Sequence, residues 1–87
     1  MSGSIKNREA LLKAFGNHLK QIRESKGLTS EDLAHRCRTA KTTISRFENG
    51  HHSPGIDQLA LIANGLEISL SELLQGFDFS IEVERED

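Results

Sequence analysis

From Leu28 to Gly50 the chain reads LTSEDLAHRCRTAKTTISRFENG, and its few apolar residues are placed so that little fits besides two short helices joined by a tight turn. Leu33, Ala34 and Cys37 recur at spacings of three and four, which puts them on one side of a helix over residues 30 to 37. Thr29 stands where a side-chain oxygen accepts an otherwise unpaired backbone N–H. Glu31 and Asp32 fall in the first turn, where the positive end of the helix dipole favours acids. Leu28, ahead of the cap, pairs with Leu33 one turn in. The turn falls at residues 38 to 40. In a second helix, over roughly 41 to 48, Ile44 and Phe47 are the only large apolar residues, and their spacing of three puts both on one side. Thr42, Ser45 and Arg46 are left on the other side, with Lys41 at the N-terminal tip. A helix of this size fits the major groove of DNA, where Arg or Lys donates two hydrogen bonds to guanine and a Thr methyl touches the thymine methyl.

The run Ile44-Ser45-Arg46-Phe47-Glu48-Asn49-Gly50 resembles the most recognisable motif of the Cro/Xre-like helix-turn-helix transcriptional regulator family, and the similarity extends from about Phe15 to Leu74. The resemblance implies an all-α, five-helix, lambda-repressor-like DNA-binding domain. It implies DNA contacts from Ser30, Lys41, Thr42, Thr43, Ser45, Arg46, Asn49 and His51, with backbone N–H groups around Asn49 and His51 meeting phosphate. It also implies a structural ion pair between Arg23 and Glu48. The chain departs from the family pattern at Ser30 (usually Gln), Cys37 (usually Leu), Arg38 (usually the turn glycine) and Ala40 (usually a Ser cap). A non-glycine residue in a left-handed turn costs about 1 kcal/mol, so the expectation is that the turn relaxes or that Thr39 takes over the cap.

Leu11, Leu12, Phe15, Leu19 and Ile22 predict a first amphipathic helix over residues 7 to 26, closed by Gly27, with Lys13, His18 and Lys20 solvated. A fourth helix over 56 to 65 turns Ile56, Leu59, Ala60, Ile62 and Ala63 inward, with Leu66 just past its end. Ser69 with Glu72 forms a capping box that opens a fifth, where Leu70, Leu73 and Leu74 close the core. At 87 residues the chain holds one domain, taken as residues 1–76, with 77–87 as a tail. No apolar run is long enough to span a membrane, and residues 1 to 8 lack a signal core, so a cytoplasmic protein is expected. A single cysteine, Cys37, excludes an internal disulfide; it reads as a small core filler, with a redox switch as the alternative.

A net charge of -2 is unusual for a nucleic-acid binder until it is divided along the chain. Residues 1 to 75 carry ten Lys/Arg against eight acids, and residues 76 to 87 one against five. Between His35 and His52 stand Arg36, Arg38, Lys41 and Arg46 with one acid, Glu48, so the basic charge sits in the motif. The adjacent His51 and His52 lie in a loop without a Cys or carboxylate at ligand spacing, and read as exposed or phosphate-side residues rather than metal ligands. No metal or cofactor is expected. No nucleophile, base and orienting group stand together and no phosphate-binding glycine loop is present, so the chain does not read as an enzyme.

After Gly76 the chain alternates apolar and polar residues through Phe77, Phe79, Ile81 and Val83, the period of a half-buried β-strand. A lone strand cannot satisfy its own backbone. The expectation is a dimer in which two tails pair as a ribbon; packing of the tail on its own helices, or on another protein, are the alternatives. The acids of the tail would then lie away from phosphate. Two functions fit: a DNA-binding transcriptional regulator, read as a homodimeric repressor on a pseudo-palindromic operator, or an antitoxin that binds a toxin protein and represses its own operon.

Overall fold

A computed structural model describes residues 7–80, which form five helices and no strand: α1 (Arg8–Ser25), α2 (Ser30–Cys37), α3 (Lys41–Glu48), α4 (Ile56–Gly65) and α5 (Leu70–Leu74). Helix starts are fixed by local side chains. Asn7 accepts from the Ala10 N–H at 2.8 Å. Thr29 and Asp32 exchange hydrogen bonds at 3.0 and 2.9 Å, and Ser69 and Glu72 do the same at 3.0 and 2.9 Å. These bonds hold the carboxyls of Asp32 and Glu72 below the usual carboxylate range, first through the backbone N–H each accepts.

Helix ends are fixed by backbone. At α1 the Gly27 N–H donates to Glu24 and the Leu28 N–H to Arg23, a crossed pair that uses up carbonyls the helix leaves open. The same pair closes α2, α3 and α4, around Arg38, Gly50 and Glu67. All four closing residues have positive φ, and two of them, Arg38 (57°) and Glu67 (62°), are not glycine.

Helix α2 packs on α3 and α4, α1 on α3, and α4 on α5. Leu19, Leu33, Ile44, Ile62, Leu66 and Leu73 are the largest fully buried side chains, with Phe15, Ala34, Cys37, Phe47 and Ala63 around them. Burial raises the Cys37 thiol pKa, and its Sγ lies 3.5 Å from the Leu61 carbonyl oxygen, as a core filler would. The inward face of α4 is narrower than its apolar content suggests. Ile62, Ala63 and Leu66 are buried and Leu59 is half-buried, whereas Ala60 is exposed and Ile56 is 70% exposed, correcting their expected inward placement. Ile56 opens the helix, and its side chain lies beyond the core. No helix among the described residues is long and apolar enough to cross a membrane.

His18, expected in solvent, is half-buried, and its Nε2 lies 2.8 Å from the Leu73 carbonyl oxygen. Beside it Phe15 meets Phe77 edge-on at 5.4 Å and Phe79 at 5.7 Å. Residues 77–80 therefore carry no strand: with no partner in one chain, the expected alternation instead brings Phe77 and Phe79 onto α1. Ile81 and Val83 lie outside the described residues.

The approach of α1 to α3 depends on Gly16. A Cβ there would stand 2.5 Å from the Phe47 carbonyl oxygen and closer still to that of Glu48, both backbone atoms that cannot swing aside. Gly16→Ala would gain roughly 1 kcal/mol in helix propensity, yet the two helices must separate to admit the methyl. Urea unfolding should show a net loss of about 1–3 kcal/mol; an unchanged or raised midpoint would mean that α1 and α3 are not locked at this spacing.

Candidate nucleic-acid interface

One side chain, Arg23, holds the end of α3 with two hydrogen bonds and the entry to α2 with a third. Arg23 Nε donates to Glu48 Oε2 at 2.7 Å, Nη2 donates to Glu48 Oε1 at 3.0 Å, and Nη1 donates to the Leu28 carbonyl at 2.6 Å. Both charged side chains are almost wholly buried. The pair thus ties α1, α3 and the entry to α2 together, and it turns inward the only acid between His35 and His52. Arg36, Arg38, Lys41 and Arg46 remain exposed on that stretch.

Ile44 and Phe47 are buried on the inner side of α3. Lys41, Thr42, Arg46 and Asn49 are exposed and Ser45 is half-buried, and Thr42, Ser45, Arg46 and Asn49 fall within one third of a helical turn of each other. Thr43 stands apart from this group. It is half-buried and helps line a cavity of about 120 Å³ with Cys37, Arg38, Ile44, Gln58 and Leu61, between α3 and α4. Ser30 is half-buried in the first turn of α2, and His51 is exposed beyond α3.

At the turn, the backbone does not relax and Thr39 does not become the cap. Arg38 adopts the left-handed conformation at φ 57°, ψ 45°, and the Thr39 N–H donates to Ala34 at 2.9 Å. Ala40 holds the extended cap conformation without a side-chain bond. The two closing hydrogen bonds of α2, from Arg38 to His35 and from Thr39 to Ala34, accompany that conformation.

The loop after α3 departs from expectation in one respect. The N–H groups of Asn49, Gly50 and His51 are engaged inside the chain, donating to Ser45, Phe47 and Arg46 at 2.9, 3.2 and 2.8 Å. These amides close the helix and are not turned toward a phosphate; what Asn49 and His51 offer outward is their side chains. His52, read above with His51 as an exposed or phosphate-side residue, is exposed but stacks its ring on Phe47, a packing role not expected from the residues, with centroids 5.5 Å apart and planes 23° from parallel, fastening the loop to α3.

Residues 19–73 match the helix-turn-helix family. The chain is 37% identical to the control protein C.MunI of a Mycoplasma species, over 74% of this chain and 88% of that protein. It is 36% identical to the HTH-type transcriptional activator BcrR of Enterococcus faecalis, over 71% of this chain but only 30% of that longer protein. Among solved structures, the restriction-modification controller protein C.Esp1396I, crystallised as a tetramer with its natural 35-base-pair operator, superposes with a TM-score of 0.69 at 37% identity, covering 75% of this chain and 86% of that one.

Replacing Arg38 by Gly removes the left-handed strain and should stabilise the fold by roughly 1 kcal/mol in urea denaturation. A loss of stability would show instead that the Arg38 side chain contributes more to the turn than its backbone costs.

Proposed function

The chain belongs to the helix-turn-helix family and is a DNA-binding transcriptional regulator, and from this we propose that it represses transcription as a homodimer that reads a pseudo-palindromic operator through the major groove. The family is one of DNA-binding regulators rather than of enzymes. The observation that carries the reading is α3 itself: Ile44 and Phe47 anchor it inward, while Thr42, Ser45 and Arg46 lie on its other side, in a stretch from His35 to His52 whose single acid is buried against Arg23. Arg46 is the residue to donate two hydrogen bonds to a guanine, Thr42 the one to meet a thymine methyl, and Ser45 can serve either base type. Thr43 takes the flank of the groove, and Lys41, Ser30, Asn49 and His51 take flanking phosphates through their side chains.

Repression by occupancy needs only a DNA-reading surface, and the exposed side chains of α3 support that reading. Two copies related by a two-fold axis would set their α3 helices about 34 Å apart, one turn of DNA. That C.Esp1396I assembles as a tetramer on its operator supports binding by more than one copy. The tail is the dimer element in this reading: Phe79 is 45% exposed beside Phe15, and with Phe77, Ile81 and Val83 it would offer an apolar strip for a second copy to cover.

Arg46→Ala should cost about 1–3 kcal/mol on a selected operator and relax base preference at one position. Fluorescence anisotropy on operator and random duplexes checks it, and equal losses on both would make Arg46 a phosphate contact. Truncation after Gly76 should turn a sedimenting dimer into a monomer; an unchanged dimer would move the interface off the tail.

A further inference from the structure

We propose that Lys13, on α1, neutralises a DNA phosphate and so carries the DNA footprint from the end of α3 onto the first helix. The inference rests on the major-groove reading of α3 given above.

It starts from a problem at the end of α3. A DNA strand passing Asn49 and His51 meets the C-terminal end of a helix, whose dipole presents partial negative charge. The amides that could have offset it are spent: those of Asn49, Gly50 and His51 all donate back into α3. The Arg23 guanidinium is buried and committed to Glu48 and to the Leu28 carbonyl, and Arg46, exposed in the last turn of α3, is the residue assigned above to a base. A phosphate at this corner therefore depends on a cation from outside the loop.

Lys13 is where that cation comes from. Gly50, at φ 74°, runs so close to α1 that a Cβ on it would lie 2.7 Å from both Cα and Cγ of Lys13 and 2.8 Å from its backbone nitrogen. The aliphatic stem of Lys13 thus leaves α1 alongside the loop that joins α3 to His51. The residue is exposed, and it forms no ion pair among the described residues. Gly16, one turn along α1, lies against the carbonyls of Phe47 and Glu48, so the same stretch of α1 that brings Lys13 to Gly50 is held there by backbone contact. A lysine so placed is a sequence-independent contact, because every phosphate presents the same charge.

The test is the salt dependence of binding, measured by fluorescence anisotropy with the full chain on operator and random duplexes between about 50 and 200 mM salt. Lys13→Gln should reduce the slope of log K against log salt by about 0.9, with the same fold-loss on both duplexes and a larger loss at the low-salt end. Lys13→Arg should keep the wild-type slope. Arg8→Gln removes the same charge on roughly the opposite side of α1 and should leave the slope unchanged. A wild-type slope in Lys13→Gln, a loss confined to the operator, or an equal change in Arg8→Gln would each overturn the proposal while leaving the major-groove reading intact. A wild-type chain that binds neither duplex would overturn both.

Discussion

The orientation of the outward face of α3 depends on one contact: the twin hydrogen bond between the Arg23 guanidinium and the Glu48 carboxylate. Burying two charges carries a large desolvation cost, and such a pair is weak as a source of net stability against an apolar replacement. What it supplies is direction. A guanidinium is planar and a carboxylate accepts it in a narrow range of angles, and a third bond from the same guanidinium to the Leu28 carbonyl fixes where α2 begins. Gly16 completes the arrangement by letting backbone touch backbone. Three helices are thus referenced to a single side chain, and the exposed residues of α3 inherit that frame.

Much of this could be read from the residues. Wherever a helix is started by a side chain a few positions away, as at Thr29 with Asp32 or Ser69 with Glu72, the boundary is a local matter and the sequence displays it. The split of α3 into an inner and an outer side is equally local, since Ile44 and Phe47 leave no other choice. Arg23 and Glu48, 25 residues apart, came from family likeness and not from any pattern in the chain. What escaped was set by contacts distant in sequence. Nothing near Gly16 reveals that a carbonyl will press on it, and nothing near His18 reveals the Leu73 carbonyl 55 residues on. The exposure of Ile56 escaped for the complementary reason: helical spacing shows which side of α4 is apolar but not how far the core extends along it.

The loop after α3 shows how capping and ligand binding compete for the same groups. A backbone N–H can serve a phosphate or close a helix, and here the crossed pair of bonds around Gly50 takes it for closure. The same closure at Arg38 and Glu67 uses residues that pay for the left-handed conformation, so the stop signal is strong enough to be kept without glycine. His52, resting on Phe47, keeps the loop flat against the helix it follows.

Thr42 and Arg46 support no part of the interior. Neither lines the core nor enters a hydrogen bond that holds one helix to another. In the proposed reading, the side chains that meet the bases are therefore mechanically uncoupled from the scaffold that displays them. On that proposal, evolution or a protein engineer could change those two side chains, and with them the preferred operator, without renegotiating the folding of the chain.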